Sequence, residues 1–255
     1  MMRLAIVSSP RCGNTWIREV LSKTLSLQEI ALHDYVDAKH LPESCVLQIH
    51  WYREPHFQRF LRENHFKILV LARHPLDVLL SVLHFVQHDP DTKNWLLGNC
   101  DLPEDLHGSS PTGQKFLDYC LSFGAENLLS ITYQWWHEPT AIRLRYEEFV
   151  KSPSRSFVTV AEHLGCTGYD FTFEITQRNL EYFKALPNHH GWQGTPNNWK
   201  TMIIPSYAKQ IKSKHRNIFS SLGYSVPYYW LTKRSAAERW HLLRVPSSLN
   251  KMSAS

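Results

Sequence analysis

The stretch from residue 4 to residue 25, LAIVSSPRCGNTWIREVLSKTL, constrains the fold more than any other part of the sequence. It begins with a short apolar run, Leu4 to Val7, which is typical of a strand buried on both faces of a parallel sheet. A small, polar loop follows, and apolar residues then recur at helical spacing. This order of strand, tight loop and helix is typical of phosphate binding, because the N–H groups and the positive dipole end of the helix point at the loop.

The residues of this loop suit an anion. Gly13 permits close approach of the backbone, Asn14 and Thr15 offer hydrogen bonds, and Arg11 adds a permanent charge with a planar set of donors. The loop is not the Walker pattern, because the first Walker glycine is missing and an asparagine, not a lysine, follows Gly13. The sequence therefore predicts a phosphate loop without implying ATP or GTP hydrolysis. An ordinary strand-to-helix turn is the alternative.

Length and composition indicate one globular domain. The chain has 255 residues, of which 43% are hydrophobic and 20% charged, and this is enough for one substantial core. A net charge of +5 and a pI of about 8.9 favour anionic ligands. The basic residues are dispersed along the chain rather than gathered on one element, so we expect no nucleic-acid partner.

The cysteines and the N-terminus predict a cytoplasmic protein. The cysteines are odd in number, widely spaced and without a CxxC pair, which argues against a disulfide framework or a zinc site and for a reducing compartment. The apolar run at the N-terminus is so short that we expect no signal peptide. No run approaches the roughly 20 apolar residues that span a bilayer, so we expect no integral membrane segment.

Alternating strand and helix patterns predict a single α/β domain with a central, mostly parallel sheet flanked by helices. Strands are predicted at residues 4–7, 45–50, 67–72 and 141–146, and helices at 56–64, 76–86, 116–123, 128–136 and 154–164. Residues 26–44 show no clear pattern, whereas residues 87–113 predict a long loop that covers or binds a ligand. We place the α/β domain at residues 1–231, and a C-terminal helix (235–245) with its tail, not a separate domain, at 232–255.

Polar side chains follow three of the predicted strands. Ligands of open α/β sheets bind beyond the carboxyl ends of the strands, where the Arg11 loop, His50 and Arg73 are expected to lie. Ser81 follows Arg73 by about two helical turns. Taken alone, these residues have plainer interpretations: a strand-end histidine, a surface arginine and a serine that packs between helices.

Together these segments resemble the sulfotransferase family, whose members use 3′-phosphoadenosine 5′-phosphosulfate (PAPS). SSPRCGNTW, residues 8–16, is similar to the family's 5′-phosphosulfate loop. WWHEPTAIRLRYEEFVKSP, residues 135–153, resembles a further family segment and places Tyr146 at the adenine. ARHPLDVLLSVLHF, residues 72–85, resembles the family's 3′-phosphate motif at Arg73, Pro75, Asp77, Val78, Ser81 and Phe85. The match runs in order from residue 4 to about residue 212.

The resemblance implies transfer of a sulfuryl group from PAPS to a hydroxyl or amine of a small-molecule or glycoside acceptor, with 3′,5′-ADP as product and no metal required. It implies His50 as the general base and Arg11 as the group that stabilises the leaving phosphate. Glu54 and Asp34 are the carboxylates that would replace His50 as base. The implied cofactor-binding residues are Arg11, Cys12, Gly13, Asn14, Thr15, Trp16, Arg73, Ser81, Tyr146, His190 and Gly191.

The sequence departs from the family pattern at charged positions. Arg11 replaces the usual lysine of the loop, and Gln48 stands where a lysine usually precedes the catalytic histidine by two residues. The basic pair of the C-terminal motif is His189-His190, with residues inserted before Trp199-Lys200, which predicts a pH-sensitive grip on the 3′-phosphate. The dimerisation motif of the family's animal cytosolic members has no clear counterpart, so the oligomeric state stays open.

Two other functions stay open at this point: a nucleotide or small-molecule kinase with a degenerate P-loop, and a non-catalytic adenine-nucleotide binding module. The missing Walker lysine argues against the kinase. His84 and His88 have the spacing of metal ligands, but without an evident third ligand we interpret them as solvent-facing. An aromatic-lined pocket for a partly apolar alcohol, phenol or glycoside is predicted from Trp51, Tyr52, Phe85 and Trp95.

Overall fold

The computed structural model of the chain describes residues 2–187 and 190–244. The strands are β1 (Met2–Val7), β2 (Gln28–Leu32), β3 (Ser44–Ile49), β4 (Lys67–Ala72) and β5 (Ile142–Arg145). They form one sheet in the order β2-β3-β1-β4-β5, and every pairing is parallel. The predicted fold class, a single α/β domain with a parallel central sheet flanked by helices, is confirmed.

Helices fill the connections between the strands and most of the chain after β5. The α-helices are α1 (Asn14–Thr24), α2 (Pro55–Glu63), α3 (Pro75–Phe85), α4 (Gln114–Leu121), α5 (Phe123–Trp136), α6 (Tyr146–Phe149), α7 (Pro153–Leu164), α8 (Thr172–Gln177), α9 (Leu180–Ala185), α10 (Trp199–Met202), α11 (Pro205–Lys214), α12 (Arg216–Ser221) and α13 (Lys233–Arg244). Short 3₁₀ segments occur at Tyr35–Asp37, Pro90–Gly98 and Glu104–Leu106. The predicted long loop at residues 87–113, all of which the structure describes, therefore contains 3₁₀ turns, and no α-helix or strand lies within it.

The central strands are buried on both faces. Leu4 to Val7 in β1 and Leu69 to Ala72 in β4 are all 0% exposed. A continuous apolar run is expected where helices cover both sides of a parallel sheet, and each buried Leu, Ile or Val side chain contributes about 1.5–3 kcal/mol. This burial explains why the predicted strands at 4–7 and 67–72 agree with the structure.

The strand order places the predicted site. The connection after β1 leads to β2, which lies beyond β3 at one edge of the sheet. The connection after β3 instead passes β1 and leads to β4 on the other side of β1. The carboxyl ends of β3, β1 and β4 therefore lie side by side, at a topological switch point where open α/β sheets bind ligands. The loop after β1, His50 after β3 and Arg73 after β4 lie at this edge.

The C-terminal helix α13 packs against the rest of the chain. Its Ala236 and Trp240 are 0% and 3% exposed, and the Trp240 ring lies 5.6 Å from that of Trp192. The division at residues 231 and 232 stays a prediction. The tail from residue 245 onward lies outside the described residues.

Candidate active site

The loop between β1 and α1 has the backbone of an anion site. Gly13, just before α1, has a φ of 98°, and no side chain caps the helix. The N–H groups of the first helical turn therefore point into the loop without a capping partner. A Cβ atom at Gly13 would lie 3.2 Å from the ring of Tyr146, so glycine is needed here both for its conformation and for space.

Arg11 is held over this loop by neighbours from two other segments. Its Nε donates to Ser81 Oγ at 3.1 Å, and its Nη2 donates to the carbonyl oxygen of His190 at 2.7 Å. The guanidinium lies 4.0 Å from the centre of the Phe85 ring. Since a guanidinium carries five N–H donors, the remaining donors of Arg11 stay available to a ligand.

Arg73 lies next to the loop between β1 and α1 and supports its backbone. Its Nη1 donates to the carbonyl oxygen of Arg11 at 2.8 Å, and its guanidinium lies 4.3 Å from the centre of the Tyr146 ring. Arg73 is 8% exposed, yet its Nε has no hydrogen-bond partner. Burial, followed by the charge of Arg73, lowers the pKa of Arg11 to about 9. Two buried positive charges, Arg11 and Arg73, thus lie close together, and the Nε donor of Arg73 is unused. A bound anion would stabilise this arrangement.

His50 follows β3 and contacts the strand end of β1. Its Nδ1 lies 2.7 Å from the carbonyl oxygen of Ser8. Burial, followed by the charges of His33, Arg11 and Arg18, lowers the pKa of His50 to about 4 although the bond to Ser8 opposes this shift. The imidazole is therefore neutral at pH 7, the form that accepts a proton.

The two alternative carboxylates are engaged elsewhere. Glu54 Oε1 accepts a hydrogen bond from the indole nitrogen of Trp51 at 2.8 Å. Asp34 Oδ1 accepts from the backbone N–H of Val36 at 3.0 Å and so caps a 3₁₀ turn. Neither residue lines the cavity that contains His50.

A cavity of about 380 Å³ joins these groups. The predicted site residues that line it are Arg11, Gly13, Asn14, Thr15, Trp16, His50, Arg73, Ser81, Tyr146, His190 and Gly191. The side chain of Cys12 does not line it; burial raises the pKa of this thiol to about 12.

The cavity includes residues that are not among the predicted site residues. These are Pro10, Val150, Arg178, Leu180, Phe183, Trp192, Gln193, Gly194 and Thr195. Arg178 follows α8 and pairs with Glu174 and, at 3.6 Å, with Glu19. Pro10, Val150 and residues 192–195 lie within the segments that resemble the family, whereas no periodic pattern or familiar spacing marks Arg178, Leu180 and Phe183. Of the predicted aromatic pocket, Trp95 lines the cavity, whereas Trp51, Tyr52 and Phe85 do not.

The charge of the cavity fits the anionic cofactor that the sequence implies. Arginines 11, 73 and 178 line it, and no Asp or Glu of the described residues does. Gln48 also lines it, and its Oε1 accepts a hydrogen bond from Arg18 Nη1 at 3.0 Å. A positive charge from α1 thus stands next to the position where the family has a lysine.

The segment after α9 crosses the cavity. Tyr146 Oη donates to the carbonyl oxygen of Gly194 at 2.8 Å, and the N–H of Gly191 donates to the carbonyl oxygen of Phe183 at 2.9 Å. Burial, followed by the charge of Arg11, lowers the pKa of His190 to about 3. The ring is neutral at pH 7 and does not supply the positive charge of the basic residue that it replaces. His189, the other member of the pair, lies outside the described residues.

His84 on α3 differs from its sequence interpretation. His84 was expected to face solvent, but it is 6% exposed and stacks on Trp192 with ring centres 4.6 Å apart. Within the described chain, no group of three or more His, Cys, Asp or Glu side chains is placed to hold a metal ion. None of the helices in the described ranges has the length and apolar character needed to cross a membrane.

Comparison with known proteins agrees with this geometry. The family model described as "Sulfotransferase domain" matches residues 2–193. Human Sulfotransferase 6B1 is 21% identical over 250 residues, covering 88% of this chain and 79% of that protein. The structure is similar to that of mouse sulfotransferase SULT7A1 complexed with PAP, with a TM-score of 0.65 and 17% identity over 88% of this chain and 89% of the other.

A second fold relative is retinol dehydratase, solved with androsterone and the inactive cofactor PAP. It has a TM-score of 0.59 and 17% identity, covering 89% of this chain and 82% of its own. The chain belongs to the sulfotransferase domain family. Within that family it is a PAPS-dependent sulfotransferase, an enzyme that transfers a sulfuryl group.

Proposed function

We propose that this enzyme transfers the sulfuryl group of PAPS to a hydroxyl or amine of a small-molecule or glycoside acceptor, with His50 as general base and Arg11 at the leaving phosphate. The observation that carries the proposal is one cavity that contains the neutral imidazole of His50 together with Arg11, Arg73 and Ser81. Proton acceptor and anion-binding groups therefore face the same space. No metal is part of the proposal.

PAPS, when bound, supplies the sulfuryl group, whose bond to the 5′-phosphate oxygen breaks as a bond to the acceptor oxygen or nitrogen forms. The loop N–H groups, Thr15 and the remaining donors of Arg11 would hold the 5′-phosphate and stabilise charge on the leaving oxygen. The Asn14 amide already donates to the carbonyl oxygen of Ser9 at 3.0 Å, so it would offer its second N–H. His50 would accept the proton that the acceptor loses.

The remaining site residues would distinguish PAPS from other nucleotides. The unused Nε of Arg73, together with Ser81, would hold the 3′-phosphate. Trp16 and Tyr146 would contact the adenine; Trp16 is fixed edge-on against Phe149 with ring centres 4.6 Å apart. His190 and Gly191, which line the same cavity, would cover the cofactor.

Thermal unfolding with nucleotides tests the proposal. We expect 3′,5′-ADP to raise the melting temperature without magnesium and ADP to raise it much less, because Arg73 and Ser81 need a 3′-phosphate. At 100 times its dissociation constant the ligand would add about 2.7 kcal/mol. Equal shifts with 3′,5′-ADP and ADP, or a shift that needs ATP and magnesium, would contradict the proposal. An acceptor screen with labelled PAPS would then identify the acceptor.

A further inference from the structure

Asp77 is a buried carboxylate on the helix that carries Ser81. It lies in the first turn of α3 and is 1% exposed. It does not line the cavity. A buried carboxylate is costly unless hydrogen bonds satisfy it, so its partners indicate what its charge is used for.

Those partners are backbone N–H groups far away in the sequence. Asp77 Oδ2 accepts from the N–H of Asn197 at 2.6 Å, and Oδ1 accepts from the N–H of Trp199 at 2.9 Å. Asn197 has a φ of 65°, in the left-handed region that asparagine tolerates better than most residues. Both oxygens of one carboxylate therefore fix a strained turn just before α10.

This turn ends the segment that crosses the cavity. Residues 190–195 line the cavity, and we call residues 190–199 the roof segment. Its other hydrogen bonds include those from Arg11 Nη2 to the His190 carbonyl, from Tyr146 Oη to the Gly194 carbonyl and from Trp192 Nε1 to the Leu243 carbonyl. The bond from Gly191 N–H to Phe183 holds its beginning. Its end is held by the two hydrogen bonds to Asp77 and by the stacking of Trp199 on His74.

The spacing on α3 connects this attachment to the phosphate groups. Ser81 lies four residues after Asp77, one turn along the same side of α3, and Arg73 lies four residues before Asp77, just ahead of the helix. Arg73 and Ser81 contact Arg11, and Asp77 contacts the roof segment. Residues 73–81 thus hold both Arg11 and the roof segment, which line the cavity together.

We propose that Asp77 is a positioning residue that holds the roof segment over the cofactor cavity and so sets the affinity for 3′,5′-ADP without touching it. The proposal rests on the proposed function for the identity of the ligand. Burial raises the pKa of Asp77, while the charge of Arg73 and the two N–H bonds oppose this shift. The ionised form of Asp77 is therefore stabilised by Arg73 and by the backbone N–H groups of Asn197 and Trp199.

The test compares Asp77→Ala and Asp77→Asn with Ser122→Ala. Ser122 caps α5 by accepting from the N–H of Ala125 at 3.3 Å and lies outside the cavity, so its loss controls for lost stability alone. Isothermal titration with 3′,5′-ADP should show affinity about ten- to a hundredfold weaker for Asp77→Ala, a smaller loss for Asp77→Asn, and none for Ser122→Ala. Amide hydrogen exchange should rise at residues 190–199 in the Asp77 variants.

Wild-type affinity in both Asp77 variants, or exchange that rises across the whole domain, would overturn the proposal. If Asp77→Ala does not fold, Asp77→Asn decides by the same two measurements. Failure of the wild-type protein to bind 3′,5′-ADP would count against the proposed function instead. The exchange pattern of the roof segment would then still decide whether Asp77 holds it.

Discussion

The Nδ1 nitrogen of His50 lies 2.7 Å from the carbonyl oxygen of Ser8. A carbonyl oxygen only accepts hydrogen bonds, so the proton of the neutral ring is on Nδ1 and the lone pair is on Nε2. Ser8 Oγ in turn accepts from the N–H of Leu71 at 2.6 Å. The proposed base is therefore oriented by the end of β1, which is itself joined to β4.

Replacing His50 tests its role as base. We expect His50→Ala to fold and to bind 3′,5′-ADP, because the phosphate groups are held from other strand ends. Transfer should fall by about 10²–10⁴-fold, the usual contribution of a positioned base. His56→Ala, at an exposed position on α2, is the matched control and should keep wild-type activity.

The pH profile and two carboxylate variants distinguish His50 from Glu54 and Asp34 as the general base. The neutral ring is the active form, so kcat/KM should persist as the pH falls below 6.5 and decline only near the lowered pKa of about 4. Glu54→Gln and Asp34→Asn should keep most of the activity. If either carboxylate variant is inactive while His50→Ala still turns over, His50 is not the base.

Arg11 should affect both binding and chemistry. Arg11→Ala removes charge-assisted contacts worth about 1.5–3 kcal/mol each, so affinity for 3′,5′-ADP should fall about ten- to a hundredfold. The rate of transfer at saturating PAPS should fall further, by about 10²–10³-fold, if Arg11 stabilises the leaving oxygen. Arg11→Lys keeps the charge and should lose less on both measures, whereas Arg59→Ala, at an exposed position of α2, should lose neither.

Arg73 should determine the preference for a 3′-phosphate. Arg73→Ala should weaken the binding of 3′,5′-ADP at least tenfold and the binding of ADP by much less, as measured by titration calorimetry. Arg73 also supports the loop through the Arg11 carbonyl, so some loss with ADP is expected. An equal loss with both nucleotides would mean that Arg73 only supports the loop.

The sequence predicts those parts of the fold and site that depend on short-range pattern. The strands at 45–50 and 67–72 are short, mostly apolar runs. Because ligands bind beyond the carboxyl ends of such strands, the sequence correctly places His50 and Arg73 next to the loop. The strand β2 was missed, because its residues are exposed or half-buried and it is an edge strand paired with β3 alone.

The missed half of the site depends on long-range contacts. Arg178 and Phe183 reach the cavity through the packing of residues 170–187, which contain short helices and turns without a repeated pattern. The attachment of the roof segment to Asp77 spans 120 residues of sequence at Asn197. A single sequence does not mark such a contact, since the backbone N–H groups that make it are common to almost every residue type.

Acid should destabilise the protein through His74, which lies outside the catalytic groups. His74 is 4% exposed; its Nδ1 accepts from the N–H of Leu76 at 3.3 Å, and its Nε2 bonds the carbonyl oxygen of Ser225 at 3.1 Å. Its ring stacks on Trp199 at 4.7 Å. Burial, followed by the charges of Lys200 and Arg73, lowers the pKa of His74 to about 4, although the bond to Ser225 opposes this shift.

The sign of the effect follows from proton uptake. The unfolded chain binds a proton at His74 near pH 6.5 and the folded protein only near pH 4, so stability is fully present above pH 6.5 and is lost as the pH falls toward 4. The loss from this group is about 3 kcal/mol. His74→Asn keeps a side chain that can cap α3 but cannot titrate, so its free energy of unfolding should be lower at pH 7 and fall less steeply below pH 6.5. Urea unfolding between pH 7 and pH 4.5 measures both slopes, with His56→Asn as the exposed control, and equal slopes in wild type and His74→Asn would show that His74 does not carry the effect.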